Sequence, residues 1–226
     1  MVRLRYFLTV NELFRKTVDI MKVIRFEVGN LGTNCYIAYC EQTRQAAVID
    51  PGGNAAQILD ILAGQKLQVK LIINTHGHVD HIAANGEVQN ATGAAVLIHP
   101  RDAGMLTNPQ QNLSSFIGGE VVLKPADRLI NDGDIIPVGN TELTVLHTPG
   151  HTPGGICLKG DDLLFSGDTL FAESIGRTDF PGGSYQQLIT AIQEKLMVLP
   201  DGMKVLPGHG PETTIGWERT HNPFIQ

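Results

Sequence analysis

Features that classify a chain quickly are scarce in this sequence. There are three cysteines in 226 residues, Cys35, Cys40 and Cys157, and no two of them form a Cys-x-x-Cys pair. That excludes a disulfide framework and a thiolate zinc site, and it fits reduced thiols in a cytoplasmic protein. No apolar run approaches the length that spans a bilayer, so no membrane role is expected. Basic residues are outnumbered 17 to 23, a formal charge of -6. Such a chain has no general attraction to phosphate backbones, and no nucleic-acid partner is expected. The opening residues carry Arg3 and Arg5, but Asn11 and Glu12 interrupt the apolar stretch and no small-residue cleavage site follows, unlike an export signal.

What is present suits one globular domain: 42% apolar residues for a core, with 25 glycines and 12 prolines for tight connections. Regular patterning begins at Met21, so residues 1–20 read as an N-terminal extension and 21–226 as a single domain. "KVIRFEV" and "NCYIAYC" read as paired strands and "QAAVID" as a third. Asn54, with Gln57 as its reciprocal cap, opens a helix to about Leu62 that Gly64 stops. "VKLIIN" is a buried strand, followed by a helix from Ile82 to about Thr92. In the second half "IIPV", "ELTVLH", "GICLKG", "DLLFSGD" and "MKVLPGHG" supply strands, and Ser184 with Gln187 caps a helix. Residues 104–120 read as a loop near the site, and the segment around Trp217 as a polar tail.

The stretch "INTHGHVDHIAAN" sets three histidines and an aspartate within six positions. A packed core would have to satisfy every ring nitrogen and an exposed loop has no structural use for them, so a bound ion is the first explanation. Four apolar runs end in metal-capable side chains: "KLIIN" before His76, His78, Asp80 and His81, "LTVLHTPG" before His151, "LLFSG" before Asp168 and "KVLPG" before His209. Side chains at the ends of several strands converge on one sheet edge. Five histidines and two aspartates exceed a tetrahedral zinc and suit two ions sharing a carboxylate. Imidazole and carboxylate suit zinc, iron or manganese. His76 and His78 can face one ion while Asp80 and His81 diverge toward another.

"HGHVDH", followed in order by "TPGHTPGG", "SGDTLF" and "LPGHG", resembles the metallo-β-lactamase superfamily from Met21 onward. The resemblance implies an α/β fold, a four-layer αββα sandwich with metals at one edge. It implies two divalent ions, zinc foremost: His76, His78 and His151 on one, Asp80, His81 and His209 on the other, and Asp168 bridging. "GDTLFAESIGRTDFPGG" and "PGHGPETTIGWERTHNPF" look most like the short, single-domain glyoxalase II-like hydrolases, whose family hydrolyses thioesters such as S-lactoylglutathione. Longer glyoxalase II enzymes carry a helical domain that helps hold glutathione, for which this chain leaves no room. The expected partner is therefore a small-molecule thioester, with a glutathione conjugate as one form of it. Two ions would lower the pKa of a shared water from ~15.7 toward about 7, and the hydroxide would attack the thioester carbonyl with Asp80 orienting it. A thiolate of pKa about 8.5 leaves with little acid assistance.

Other functions remain open. A persulfide dioxygenase with a similar "GRTDF" element would hold one iron on His76, His151 and Asp168. A hydrolase of another ester or thioester, or a non-catalytic metal-binding module, would use the same scaffold. A β-lactamase is disfavoured for want of an export signal, and a nuclease for want of RNA-binding insertions. Asp50 either holds a ligand imidazole or is a turn aspartate before Pro51. Arg177 either pairs with Asp179 or meets a substrate carboxylate. His147 buttresses the site or ends its strand, His99 and His221 are ordinary polar side chains, and Phe116, Phe171 and Phe180 either wall a pocket or simply pack.

Overall fold

In the computed structural model, which describes residues 19–225, the chain forms two six-stranded sheets, each from a continuous half of the sequence. The first keeps sequence order: β1 (Met21–Val28), β2 (Thr33–Cys40), β3 (Gln45–Ile49), β4 (Gln68–Ile73), β5 (Ala95–Ile98) and β6 (Arg128–Leu129). It starts as an antiparallel meander and becomes parallel from β3 onward. The second holds β7 (Ile135–Val138), β8 (Thr141–His147), β9 (Ile156–Lys159) and β10 (Leu163–Gly167). A separate hairpin, β11 (Leu170–Phe171) and β12 (Ser174–Ile175), precedes β13 (Lys204–Pro207) and β14 (Thr213–Thr214), which extend the second sheet beyond β10. The expected residues 1–20 lie outside the described part apart from the last two.

Period-two alternation distributes these strands between three cores. Tyr36, Ala38, Ala47, Ile49, Ile73 and Leu97 point from the first sheet into a core shared with Leu143, Val145, Leu158, Phe165 and Leu206 of the second. Their neighbours Ile37, Val48, Ile72 and Ile98 face the other way, onto α1 (Ala55–Gly64) and α3 (Asn85–Thr92) through Ile58, Leu62 and Val88. On the far side, Cys157, Leu164 and Val205 meet Leu188 of α4 (Tyr185–Ala191), Ile192 and Leu196 of the π-turn that continues it, and Ile215 of α5 (Ile215–His221). The layers are thus helix, sheet, sheet, helix, as the resemblance implied. The three cysteines are buried and free.

Details depart from the sequence reading where tertiary bonds compete with local ones. Asn54 does not cap α1; it sits at φ 52° and its carboxamide oxygen accepts from Gly29 N at 2.7 Å. Lys66, at φ 52°, takes the left-handed position after α1 that Gly64 was expected to mark. The helix expected from Ile82 is two, a single turn α2 (Val79–Ile82) and then α3. Between them the buried Asn74 donates to His81 O at 3.1 Å and exchanges amide bonds with Asn85. Ser184 caps α4 as expected, accepting from Gln187 N. The polar tail is α5, capped by Thr214, which accepts from Trp217 N at 3.2 Å. Loop 104–120 contains short 3-10 turns at Ala103–Thr107 and Ser114–Phe116.

Candidate metal centre

Strands β8, β10 and β13 run in one direction, because β8 and β10 are each antiparallel to β9 while β10 and β13 are parallel. Their carboxyl ends therefore share an edge, and His151, Asp168 and His209 follow those ends. The end of β4 meets them from the opposite sheet, with His76 in the loop, His78 at the start of α2, and Asp80 and His81 within its single turn. The two sheets are fastened at this edge. Asn34 N donates to Gly208 O at 2.7 Å, Tyr36 Oη to Pro207 O at 2.7 Å, and Ile156 N to Thr75 O at 2.9 Å.

All seven side chains singled out in the sequence meet there. Three overlapping groups have donor atoms within 4.8 Å of one another: His76, His78 and His151; His76, His81 and Asp168; and Asp80, His81 and His209. His78 Nδ1 lies 2.9 Å from His151 Nε2, and His209 Nε2 lies 3.1 Å from Asp80 Oδ2. Asp168 stands between the outer groups, its oxygens 3.4 Å from His81 Nε2, 3.6 Å from His151 Nε2 and 3.7 Å from His209 Nε2. His76 Nε2, His81 Nε2 and Asp168 Oδ1 are buried and without a hydrogen-bond partner. Each such atom costs about 1–3 kcal/mol in a packed interior. Three side by side, all of them metal-donor types, fit divalent ions.

Other contacts aim these rings. His81 Nδ1 is 3.0 Å from Asp50 Oδ2, and Asp50 also accepts from Thr75 N at 2.7 Å and Thr75 Oγ1 at 2.6 Å. Asp50 therefore holds an imidazole, the first of its two readings. It does so from a left-handed backbone at φ 52°, which for a non-glycine residue costs about 1 kcal/mol or more. His151 Nδ1 donates to Arg177 O at 2.7 Å, leaving Nε2 facing the group. Arg177 thus contributes through its carbonyl, while its guanidinium pairs with both Asp179 oxygens at 2.8 and 2.7 Å. His147 lies outside the group at the end of β8, stacked on His99 at 4.1 Å and 3.0 Å from Pro153 O. His221 stacks on Trp217.

Burial and neighbouring charge divide the histidines. Burial, reinforced by the other imidazoles, pushes His76 well below its ordinary value and His78 down to about 3. Both are therefore neutral with a lone pair available. Burial also opposes charge on His81, but Asp80, Asp168 and Asp50 together outweigh it and raise that ring to about 10. His209 is likewise raised against its burial, by Asp80 and Asp168. Burial would raise Asp80, yet His81 and His209 hold its carboxyl below the usual range.

Asp102 belongs to this architecture and was missed in the sequence, where a lone aspartate in "HPRDAG" carries no motif. It is fully buried, and its carboxylate accepts from Gly77 N at 3.2 Å, Thr152 Oγ1 at 2.7 Å and Gly154 N at 2.6 Å. It ties the loop of His76 and His78 to the loop of His151. Asp102→Asn puts an NH2 where an acceptor is needed, and metal affinity should fall about 10- to 100-fold, as competition with a chromophoric chelator would measure. Gly208 leaves no room for a side chain, since a Cβ there would lie 2.2 Å from Asp168 Oδ1 and 2.8 Å from His81 Cε1. Gly208→Ala should therefore displace both donors and lower turnover roughly a hundredfold, which a comparison of kcat at saturating metal would test.

A cleft of about 850 Å³ opens over the group, with His78, Asp80, His151, Asp168 and His209 on its floor and Phe116, Phe171 and Phe180 in its walls. The sequence model of the metallo-β-lactamase superfamily matches residues 28–209. The chain belongs to the metallo-β-lactamase superfamily. A member from Bacillus subtilis, "Probable metallo-hydrolase YqgX", is 39% identical over 208 residues, spanning 91% of this chain and 98% of that one. The hydroxyacylglutathione hydrolase GloC of Haemophilus influenzae is 34% identical over 212 residues, 92% of this chain and 97% of its own. Among solved metallo-β-lactamase structures, the BLEG-1 B3 metallo-β-lactamase superposes with a TM-score of 0.87 at 38% identity, covering 90% of this chain and 99% of that one. TTHA1623 in a di-iron-bound form gives 0.78 at 32%, covering 89% and 99%. The cluster of this metallo-β-lactamase superfamily member is thus a candidate divalent-metal centre in a family of metallo-hydrolases. No helix among the described residues is long and apolar enough to cross a membrane.

Proposed function

We propose that this protein is a metal-dependent hydrolase of thioesters, the chemical class of S-lactoylglutathione, working in the cytoplasm on a small-molecule substrate. The observation that carries the reading is the cluster at and beneath the floor of the cleft: seven donor side chains converge, five of them lining the cleft, and three buried donor atoms among the seven have no other partner. His76, His78 and His151 would hold one ion, Asp80, His81 and His209 a second, and Asp168 would bridge. When bound, the ions supply Lewis acidity and a nucleophile at neutral pH, zinc being the first candidate and iron or manganese the others.

The chain's own residues account for the rest. Asp80 keeps its charge, accepts from Thr33 Oγ1 at 3.0 Å, and lines the cleft, where an ionised carboxylate orients an attacking water. Asp50 and Arg177 O fix the outward nitrogens of His81 and His151 and so keep Nε2 of each directed at the group. A departing thiolate of pKa about 8.5 needs no strong acid. The name of the GloC relative supports a thioester, and all seven donors support two ions over the three-ligand iron alternative.

The test is to purify the protein without added metal, quantify zinc and iron, and follow thiol release from S-lactoylglutathione and from a small acyl thioester. About two metals per chain with thiol release are expected. One iron per chain, with oxygen uptake on glutathione persulfide and no thioester cleavage, overturns the proposal.

A further inference from the structure

The walls of the cleft carry information that its floor does not. Leu31, Phe116 and Ile117 stand at its mouth, 59%, 74% and 63% exposed, and Phe171, Ile175 and Phe180 line it further in. Large apolar side chains exposed singly are ordinary, but a contiguous set around a concave site marks a surface that binds something apolar.

Charge in the cleft is equally selective. Among the described residues that line it, Arg177 is the one lysine or arginine, while Asp80 and Asp168 are acidic. The Arg177 guanidinium is already engaged, paired with both oxygens of Asp179 and lying 3.9 Å over the Phe180 ring. A glutathionyl group carries two carboxylates and a nucleotide thiol carries phosphates. Their recognition calls for several free cations or a forked arginine donor, and these walls present neither. The cleft is also far larger than a lactoyl or acetyl group fills, since sites of about 300–1,000 Å³ take drug-sized ligands.

We infer that the substrate is recognised through an apolar acyl group, a medium-length alkyl or aryl chain packed against Phe116, Ile117 and Phe180, with its thiol carrier directed to solvent. The inference rests on the thioester-hydrolase reading for its carbonyl, which continuity of wall and floor places at the metal-capable group.

The experiment uses the full zinc-loaded chain and a series of N-acetylcysteamine thioesters from acetyl to octanoyl, with S-lactoylglutathione alongside. kcat/KM should rise roughly two- to fourfold per added methylene, as burial of a CH2 predicts, and the octanoyl ester should exceed S-lactoylglutathione about tenfold or more on the same basis. Calorimetric titration with the acids acetate through octanoate gives a readout free of turnover, and Kd should fall by similar steps. Phe116→Ser with Ile117→Ser, at two exposed positions, should reduce both slopes. A flat series, a preference for S-lactoylglutathione, or slopes untouched by the double substitution overturns the inference and leaves thioester hydrolysis standing. Chain-length-dependent binding of the acids with no thioester cleaved supports the apolar recognition and removes the hydrolase reading instead.

Discussion

Asp168→Ala should abolish thioester turnover, by roughly a thousandfold or more, while the chain stays folded. Its two oxygens stand within 3.4–3.7 Å of nitrogens on His81, His151 and His209, so one substitution removes the anion shared by both groups. A bound ion contributes several kcal/mol of transition-state stabilisation, and about 4 kcal/mol corresponds to that thousandfold. His78→Ala should act similarly through the group it shares with His76 and His151. Neither side chain belongs to the three apolar cores, so circular dichroism should be unchanged. Metal content per chain should fall alongside kcat. Undiminished turnover in either variant would sink the two-ion arrangement.

Zinc should raise Tm by about 10–20 °C, and the gain should shrink as pH falls. A ligand that binds only the folded state at a hundred times its Kd contributes about 2.7 kcal/mol, and for a chain of this size each kcal/mol moves Tm by about 2–4 °C, so two sites reach that range. The sign of the pH effect follows from the rings. In the metal-free fold His81 holds its proton up to about 10 and His209 is raised as well, so at neutral pH an ion bound there must displace protons. Affinity then falls about tenfold per pH unit for each proton displaced. His76 and His78 are already neutral, lowered by burial, so those two donors lose little over the same range. Equilibrium dialysis at fixed free zinc should find near two ions per chain at pH 8 and closer to one at pH 6. Equal loss from both groups, or no loss, would contradict this division.

The strands and the seven donors were legible because both depend on local pattern. Continuous apolar runs set β4, β10 and β13 and an alternating one sets β8, and every donor follows the end of one of these four. Position of that kind survives any detail of packing. Asp102 was illegible because its three donors, at Gly77, Thr152 and Gly154, are distant in sequence and two of them are backbone amides, which leave no mark on residue type. The same reason defeated the Asn54 cap, whose carboxamide is claimed by Gly29 across a turn. Helix α5 was hidden by its glycine and by the polar residues around Trp217, although Thr214 three residues before it was a usable cap. Arg177 illustrates a subtler limit: side-chain chemistry gave its pairing with Asp179, which forms, but left no sign that its carbonyl aims His151.

The division of the chain between its sheets has a consequence for assembly. Each outer donor group takes two side chains from the half that builds the first sheet and one from the half that builds the second. Between the halves, after β6 and before β7, runs an exposed turn, Asn131, Asp132 and Gly133. Cut there, the protein would become two separate polypeptides, each exposing one apolar face of its sheet. Metal would then act as the clasp that returns them to register, so the ions would govern reassociation of the fragments as well as chemistry in the intact chain.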